Sequence, residues 1–335
     1  MRPELIDLLE CPQCASEKPL AVDGETGAEG TIERGELRCT ACGARYPILD
    51  GIPRFVAPEE NYCGNFGYQW RQWRTLQIDR LSGHTLSEDR FLADSRWPSD
   101  WFAGKRILDA GCGAGRFADI AAKFGAHVVA IDISEAVDAC RETTSFHDIA
   151  DGPGQVDCLQ ASLFELPLRK GAFDAVYCMG VIQHTPDPMG LMRLLPGYLK
   201  PGGRLVYNFY EEGVWRRLQV IKYGLRLITP HLSIDANLTL AKALVGMFYP
   251  LTRWLSEIPK IRVLNHFIPI AAVHDAQLTP DQQRAWTLLD TFDWYGARFE
   301  KRQHHDRVAA LLKETGMNNV HSQSGLAWAE KPATD

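Results

Sequence analysis

Short apolar runs alternate with longer, helix-like stretches from residue 104 onward. A continuous apolar run is typical of a strand that is buried on both faces, as strands of parallel sheets are. The stretches between the runs carry apolar residues at the spacing of an amphipathic helix. The pattern therefore predicts a doubly wound α/β sheet, a Rossmann-like architecture. The expected strands lie at 107–108, 127–132, 156–160, 173–179 and 199–207, and a hairpin at 320–328 completes seven.

The alternation stops between Glu211 and about Ala285, after the fifth strand. Apolar residues at helical spacing predict two long helices there, at 214–228 and 238–258. An insertion at this point stands above the sheet edge where α/β proteins bind ligands, so we expect a helical lid over a pocket. The alternatives are a dimer face, a packed helical subdomain, or a membrane-surface contact around Trp215, Arg216 and Arg217.

Two Cys-x-x-Cys pairs stand near the start of the chain, Cys11 with Cys14 and Cys39 with Cys42. Two such knuckles together predict a tetrahedral four-thiolate site suited to Zn²⁺. Four protein ligands leave no open position, so this zinc would be structural. A disulfide or a redox-active pair is the alternative.

Residues 58–103 are dense in aromatic residues and arginines, notably between Tyr62 and Arg74. The pattern predicts a helix over 69–81. An aromatic residue between Phe66 and Trp73 could close over a bound ligand. The same residues could instead pack the cysteine-rich segment onto the core, or stack against nucleic-acid bases.

A glycine turn follows the first predicted strand of the α/β region, with the pattern acid-x-Gly-x-Gly-x-Gly from Asp109 to Gly115. Such a turn exposes bare backbone to a ligand at a helix N-terminus. A dinucleotide site would require a third glycine at position 116, which is Arg116. Asp132 ends the next strand, where an acidic side chain accepts both hydroxyls of a ribose.

These motifs resemble those of the class I S-adenosyl-L-methionine-dependent methyltransferases, in particular the type 11 methyltransferase domain. The resemblance runs from Arg106 to Tyr207 and includes Gly180 to His184 and the turn Lys200-Pro201-Gly202-Gly203. It implies that S-adenosylmethionine is the cofactor. Ser162 departs from the family, which commonly has Asp there to bind the adenine amine. The implied cofactor-binding residues are Asp109, Gly111, Cys112, Gly113, Gly115, Asp132, Ile133, Ser162, Leu163, Met179 and Gly180.

The residues around the cysteines carry a second resemblance. The run from Glu4 to Leu9 and the segment from Arg45 to Pro53 look like the small zinc-ribbon family whose eukaryotic members activate methyltransferases as a separate subunit. The resemblance covers about residues 1–57. It implies a docking or stabilising role, here fused to the domain that it would serve.

A methyl sulfonium is already a strong electrophile, so the protein must align the acceptor, exclude water and remove a proton where the acceptor requires it. His184 is the first candidate base, because it follows the fourth strand and titrates near neutrality. It could also serve only to shape the pocket. Tyr295 is the second candidate, and Asp293, His304 and His305 could reach the acceptor from the same side.

The acceptor is suggested mainly by absent motifs. The loop after the fourth strand lacks the Asn-Pro-Pro-aromatic sequence, and no Pro-Cys or Thr-Cys dipeptide indicates a cytosine-attacking nucleophile. These absences argue against two groups of nucleic-acid and protein methyltransferases. The Leu166-Pro167 and His184-Thr185-Pro186 motifs look more like the metabolite-modifying branch of the family. With the aromatic lid, this resemblance implies a small or amphipathic metabolite, methylated at oxygen, nitrogen or carbon. An RNA or translation-protein methyltransferase guided by its zinc ribbon is the first alternative, and a non-catalytic scaffold is the second.

Composition and net charge restrict the classes of partner that we expect. The chain has 335 residues, 45% of them apolar, and a net charge of −6. This charge gives no general attraction for nucleic acid, so none is expected as a partner. No run approaches the roughly 20 residues that span a membrane, so no stable insertion is expected. Nine cysteines without a secretion signal predict reduced thiols and a cytoplasmic location. A homodimer is possible.

The patterns together predict five segments. They are a zinc-ribbon domain (1–57), a helical cover or linker (58–103), a cofactor-binding core (104–210), a helical insertion (211–288) and the C-terminal part of the core (289–335).

Overall fold

The N-terminal part of the chain forms a small antiparallel sheet. The computed structural model describes residues 1–16, 18–26, 30–56, 63–145, 154–213 and 219–333. Strands β1 (Leu20–Thr26), β2 (Ile32–Cys39), β3 (Arg45–Leu49) and β4 (Ile52–Pro53) pair in sequence order. The two cysteine pairs lie together beside this sheet, so the predicted zinc-ribbon fold is present.

The second sheet has seven strands in the order β10-β11-β9-β8-β5-β6-β7. The five adjacent strands from β9 to the edge strand β7 are parallel and the C-terminal hairpin is antiparallel, as the apolar runs predict. The strands are β5 (Arg106–Ala110), β6 (His127–Asp132), β7 (Gln155–Gln160), β8 (Phe173–Cys178), β9 (Leu199–Asn208), β10 (Asn318–Gln323) and β11 (Leu326–Glu330).

Helices flank this sheet and form the insertion after β9. Among the described residues, no helix is both long enough and apolar enough to cross a bilayer. The α-helices are α1 (Gly64–Gln72), α2 (Asp79–Ser82), α3 (Leu86–Ser95), α4 (Arg116–Lys123), α5 (Ala136–Thr144), α6 (Pro188–Leu194), α7 (Val220–Leu225), α8 (Ile234–Ser256), α9 (Pro280–Gly296) and α10 (His305–Glu314). Short 3₁₀ helices lie at Pro3–Leu8, Ser99–Phe102, Ile182–His184, Leu195–Tyr198, Thr229–His231 and Arg262–Phe267.

The small sheet docks against β7, which is the edge strand of the large sheet. Arg54 forms a parallel bridge with Gln160, and the Phe55 N–H donates to the Gln160 carbonyl oxygen at 2.8 Å. Buried apolar residues from both parts, among them Leu37 and Leu159, share one core cluster. An uncovered edge strand is a template for aggregation, so this docking protects the large sheet as well as burying apolar surface.

The prediction of one helix over 69–81 is wrong. Helix α1 ends at Gln72, and α2 begins only at Asp79. Residues 73–78 form tight turns instead, in which the Leu76 N–H donates to the Trp73 carbonyl oxygen and the Ile78 N–H to the Thr75 carbonyl oxygen, both at 3.1 Å. After α2, the Asp79 carboxylate accepts hydrogen bonds from the N–H groups of Ser87 (3.0 Å) and Glu88 (2.9 Å). These donors lie in the first turn of α3, which therefore starts on a side chain supplied by α2.

The insertion after β9 is helical, as predicted, but its helices have different bounds. Helix α7 covers only Val220–Leu225, and α8 begins four residues earlier than expected and ends two residues earlier. Trp215, Arg216 and Arg217 lie outside the described residues, as does Tyr62.

Candidate active site

The turn between β5 and α4 requires glycine, because its backbone has positive φ angles and other side chains approach it closely. Gly111, Gly113 and Gly115 all have positive φ angles, of 95°, 52° and 86°. A Cβ at Gly111 would lie 2.4 Å from a Val181 methyl carbon, and one at Gly113 would lie 2.9 Å from the Trp70 indole nitrogen. The close packing of Val181 and Trp70 therefore requires glycine at both positions. The amides of Gly111 and Cys112 donate to the Ile131 carbonyl oxygen at 2.8 and 2.9 Å, which fixes the turn against the end of β6.

Asp132, at the end of β6, is tied to this turn. Its carboxylate accepts hydrogen bonds from the N–H of Gly113 (3.1 Å) and from the N–H and hydroxyl of Ser134 (2.9 and 2.7 Å). Burial raises the pKa of Asp132, and these hydrogen bonds oppose the shift. The carboxylate is held beside the glycine turn, where a ribose diol would need it.

One cavity of about 340 Å³ runs from the glycine turn to the inner side of α9. At its first end it contains most of the residues predicted to bind the cofactor: Gly111, Cys112, Gly113, Asp132, Ile133, Leu163, Met179 and Gly180. The cavity is continuous, so a group bound on the glycine turn and a second molecule near α9 would share one enclosed space.

Three predicted cofactor residues do not line this cavity. Asp109 is buried in β5, and desolvation raises its pKa to about 8. Gly115 faces α5, since a Cβ there would lie 3.0 Å from the Cys140 sulfur. The Ser162 hydroxyl accepts a hydrogen bond from the Phe164 N–H at 3.3 Å, so it closes a local turn. None of these three residues contacts the cavity, so their cofactor-binding roles stay predictions.

Helix α1 covers one side of the cavity with Phe66 and Trp70. The other two aromatics of this stretch, Tyr68 and Trp73, both pack on Phe292 with ring centroids 6.0 Å apart. Phe66 and Trp70 thus lie where an aromatic cover would have to be, whereas the ring contacts of Tyr68 and Trp73 join this segment to α9 and not to the cysteine-rich segment.

His184 stands at the second end of the cavity. Its Nδ1 lies 3.0 Å from the Phe299 carbonyl oxygen. A carbonyl can only accept, so in the neutral ring Nδ1 carries the hydrogen and Nε2 keeps its lone pair. Nε2 lies 3.9 Å from Asp293 Oδ2. The ring thus presents a basic nitrogen beside a carboxylate.

Two carboxylates from α9, Asp290 and Asp293, enter the same end of the cavity. Burial raises the pKa of Asp293, and burial followed by the charge of Asp293 raises the pKa of Asp290 to about 7. Asp293 Oδ1 is buried without a hydrogen-bond partner. Arg90 and Arg116 also line the cavity. An orphan acceptor of this kind is suited to a ligand that brings a hydrogen-bond donor.

Tyr295 does not enter the cavity. It is fully buried, and its hydroxyl donates to the Pro269 carbonyl oxygen at 2.9 Å. Two positions along a helix correspond to about 200°, so Tyr295 and Asp293 point to opposite sides of α9. His304 and His305 are also absent from the lining, and His305 Nδ1 lies 3.0 Å from Glu211 Oε1. Sequence reasoning missed Asp290, although it is one helical turn from Asp293.

The four cysteines near the N-terminus form a separate cluster. The sulfurs of Cys11 and Cys42 are 3.7 Å apart, those of Cys14 and Cys39 are 3.6 Å apart, and all four lie within 4.8 Å of one another. Four thiolates at about 2.3 Å from a tetrahedral Zn²⁺ would be separated by about 3.8 Å. A disulfide needs about 2.05 Å. The spacing fits a metal and does not fit two disulfides.

The raised pKa of Asp290 predicts a pH-dependent stability effect. The folded state binds this proton more tightly than the unfolded state, so its contribution to stability is lost as pH rises from about 4 to about 7. We expect Asp290→Asn to raise the melting temperature at pH 8, on the order of 2–4 °C, which about 1 kcal/mol produces in a large domain. At pH 5 the gain should be smaller.

Thermal unfolding at both pH values measures this difference, and Asp100→Asn, at an exposed carboxylate, is the control. An equal gain at pH 5 and pH 8 would mean that packing, and not charge, is the cause.

Two family models match the chain. Residues 108–207 match the model described as "Methyltransferase domain", and residues 2–51 match "Trm112p-like protein". The first match spans β5 to β9 and so includes the glycine turn, Asp132 and His184. The second spans the cysteine cluster and most of the small sheet.

Curated relatives match over the central part of the chain. A ubiquinone biosynthesis O-methyltransferase of Xanthomonas axonopodis pv. citri is 42% identical over 105 residues, which is 31% of this chain and 42% of that protein. The protein of the same name from Xanthomonas campestris pv. campestris strain B100 is 40% identical over 104 residues, 30% of this chain and 41% of that protein. The chain thus spans less than half the length of these relatives.

Solved structures resemble parts of the chain. An S-adenosylmethionine-dependent methyltransferase from Mesorhizobium loti is 28% identical, with a TM-score of 0.31, over 37% of this chain and 53% of that one. The magnesium protoporphyrin IX methyltransferase from Synechocystis PCC 6803 with bound SAH is 15% identical, with a TM-score of 0.42, over 79% of this chain and 93% of that one.

Proposed function

We propose that this chain, in which a methyltransferase domain follows a Trm112p-like segment, transfers the methyl group of S-adenosylmethionine to a small or amphipathic metabolite. The observation that carries the proposal is the continuous cavity between the glycine turn and α9. Its first end offers a glycine backbone without side chains and the Asp132 carboxylate, which suit an adenosyl group. Its second end offers a base, two further carboxylates and aromatic walls, which suit a polar acceptor.

S-adenosylmethionine would lie along the glycine turn, with its ribose diol donating to Asp132 and its adenine near Ile133 and Leu163. When bound, it supplies an electrophilic methyl group on a sulfonium. Trp70, which packs against Gly113, excludes water from that end, and Phe66, whose ring centroid is 5.2 Å from that of His184, excludes it from the second end.

An oxygen or nitrogen that carries a proton is the acceptor we favour. Asp293 Oδ1 has no hydrogen-bond partner, and His184 Nε2 keeps a lone pair. Both atoms can accept a hydrogen bond from a proton on the molecule that is methylated. The names of the curated relatives, O-methyltransferases, support oxygen, although the match covers less than half of those proteins.

His184 would accept the acceptor proton through Nε2 as the acceptor atom takes the methyl group, for which S-adenosylmethionine would supply both the methyl carbon and, as a neutral thioether, the leaving group. Asp293, 3.9 Å away, stabilises the imidazolium that forms. The Phe299 carbonyl oxygen holds the ring in the orientation that keeps Nε2 towards the cavity.

A structural Zn²⁺ is held by Cys11, Cys14, Cys39 and Cys42. The spacing of the sulfurs supports this, as do the N–H groups of Ala41 and Cys42, which point at the Cys39 sulfur from 3.4 and 3.5 Å. The boundaries expected from the sequence divide the chain accordingly: a ribbon (1–57), a cover (58–103), a core (104–210 and 289–335) and an insertion (211–288).

His184→Asn should lower kcat by about 10²–10⁴-fold, the usual contribution of general base catalysis. The affinity for S-adenosylmethionine should stay unchanged, because His184 lies at the other end of the cavity. Single-turnover kinetics and calorimetric titration measure the two effects. His321→Asn, which changes an exposed histidine on β10, is the control. An unchanged kcat would assign His184 a role in shaping the pocket.

The acceptor class is tested by incubating the purified protein with methyl-labelled S-adenosylmethionine and separate metabolite, RNA and protein fractions of a lysate. We expect label in the metabolite fraction. Label in RNA or protein would favour a ribbon-guided macromolecular methyltransferase. A protein that fails to bind S-adenosylmethionine in calorimetry would be a scaffold.

A further inference from the structure

Exposed apolar side chains are concentrated in one part of the chain. Among the described residues, eleven of the thirteen large apolar side chains that are exposed lie between Val220 and Phe267. The other two are Leu49 and Leu81. The eleven are Val220, Ile221, Leu227, Ile228, Leu232, Met247, Leu251, Trp254, Val263, Leu264 and Phe267. Scattered exposed leucines need no explanation, but a concentration of this kind marks an interaction surface.

Helix α8 carries the centre of this surface. Met247, Leu251 and Trp254 are 70%, 43% and 55% exposed, and their spacing of four and three residues places them on one face. The opposite face is also apolar, and there Val245 and Tyr249 are buried. The helix is therefore held to the protein by one apolar face and presents a second one to the outside.

Two neighbouring segments extend the stripe. The Asn265 side-chain amide donates to the Thr252 carbonyl oxygen at 3.1 Å, which holds the 3₁₀ helix with Val263 and Leu264 against α8. The Gln219 amide donates to the His266 carbonyl oxygen at 3.2 Å, which places the start of α7 beside that 3₁₀ helix. Three separate segments thus form the exposed surface, here called the α8 surface (219–221, 247–254 and 260–267).

The α8 surface is basic, unlike the chain as a whole. From Ala236 to His274 there are four basic residues and one acidic residue, Glu257, whereas the whole chain has a net charge of −6. Arg253, Lys260 and Arg262 are exposed and lie at the end of the stripe that carries Trp254. The one carboxylate beside them, Glu257, lies 3.9 Å from Arg253, so cations still outnumber acids at this end by three to one. An apolar stripe flanked by cations, with a tryptophan at the boundary, is the composition of a face that lies in the headgroup region of a membrane.

We propose that the α8 surface docks the protein on the surface of an anionic lipid bilayer. Anionic headgroups attract Arg253, Lys260 and Arg262, while the stripe enters the boundary of the acyl region. A symmetric dimer would place this surface against its own copy, and the α8 surface contains no acidic residue that could pair with these cations. The α8 surface lies next to the cavity, since both involve α7. The Lys222 ammonium of this helix lies 3.9 Å from the ring centroid of Trp294, and Trp294 lines the cavity.

Flotation of the full-length protein with vesicles tests this docking independently of methyl transfer. The vesicles contain equal parts of phosphatidylglycerol and phosphatidylcholine, and phosphatidylcholine alone is the comparison. We expect binding to the anionic vesicles, weakened by added salt. The double variant Leu251→Gln, Trp254→Gln should bind at least about tenfold more weakly, since each side chain loses its burial in the membrane.

Leu49→Gln and Leu81→Gln are matched controls, because they change exposed leucines elsewhere on the protein and should leave binding unchanged. All variants should keep the native melting temperature. Absence of flotation, or flotation that the double variant does not weaken, would overturn the proposal. So would a dimer in light scattering that the double variant dissociates while the native protein ignores vesicles, since the α8 surface would then join two copies.

Discussion

The Cys39→Ser variant is expected to purify without zinc and with its N-terminal sheet unfolded. Cys39 is buried at the end of β2, and its sulfur is the acceptor of two backbone N–H groups. Zinc binding contributes about 10–16 kcal/mol to small zinc modules near neutral pH, and the loss of one thiolate ligand removes much of it. Metal analysis and circular dichroism measure the zinc content and the loss of strand signal.

The same substitution should also destabilise the large sheet. Its edge strand β7 is paired with Arg54 and Phe55 and shares a core with the ribbon. Once the ribbon unfolds, that edge and its apolar surface are exposed, so we expect aggregation at a lower temperature than for the native protein. Cys178→Ala, at a buried cysteine in β8, is the control and should keep full zinc content. A Cys39→Ser protein that retains zinc would show that the cluster is not the metal site.

The large sheet could be predicted because its strands are buried on both faces. The buried part of a strand such as His127–Asp132, Val128 to Ile131, must then be apolar without interruption, and this local requirement is visible without knowledge of its neighbours. The glycine turn could be predicted for a similar reason. Close approach of Val181 and Trp70 excludes any side chain at Gly111 and Gly113, and that constraint appears directly as residue type.

The second end of the cavity could be predicted only in part, because it depends on contacts between distant segments. Asp290 and Asp293 enter it from a helix that begins more than 70 residues after β9. Nothing local distinguishes them from solvated acids at the surface. The chemistry of Tyr295 makes it a candidate base, but the orientation of α9 directs its side chain away from the cavity. The break after α1 has a similar origin, since the carbonyl oxygens of Leu76 and Gln77 within it contact the side chains of His84 and Ser87 later in the chain.

Asp132→Asn is expected to raise the dissociation constant for S-adenosylmethionine by about 10²-fold or more. The carboxylate would accept both ribose hydroxyls, and a hydrogen bond to a charged group contributes about 1.5–3 kcal/mol. An asparagine has one acceptor oxygen, and its amide group would face donors, namely the Gly113 N–H or a ribose hydroxyl. Calorimetric titration with S-adenosylmethionine and with its demethylated product measures the effect.

The loss of affinity must be separated from a loosened turn, because Asp132 also holds the Gly113 and Ser134 amides. Glu142→Gln is the control: this exposed carboxylate on α5 pairs with Arg74 at 2.9 Å, and such surface pairs contribute little to stability. If Asp132→Asn keeps its melting temperature and loses affinity, the carboxylate contacts the ligand itself. If it binds S-adenosylmethionine as tightly as the native protein, the diol is not held at the end of β6, and the proposed position of the adenosyl group is wrong.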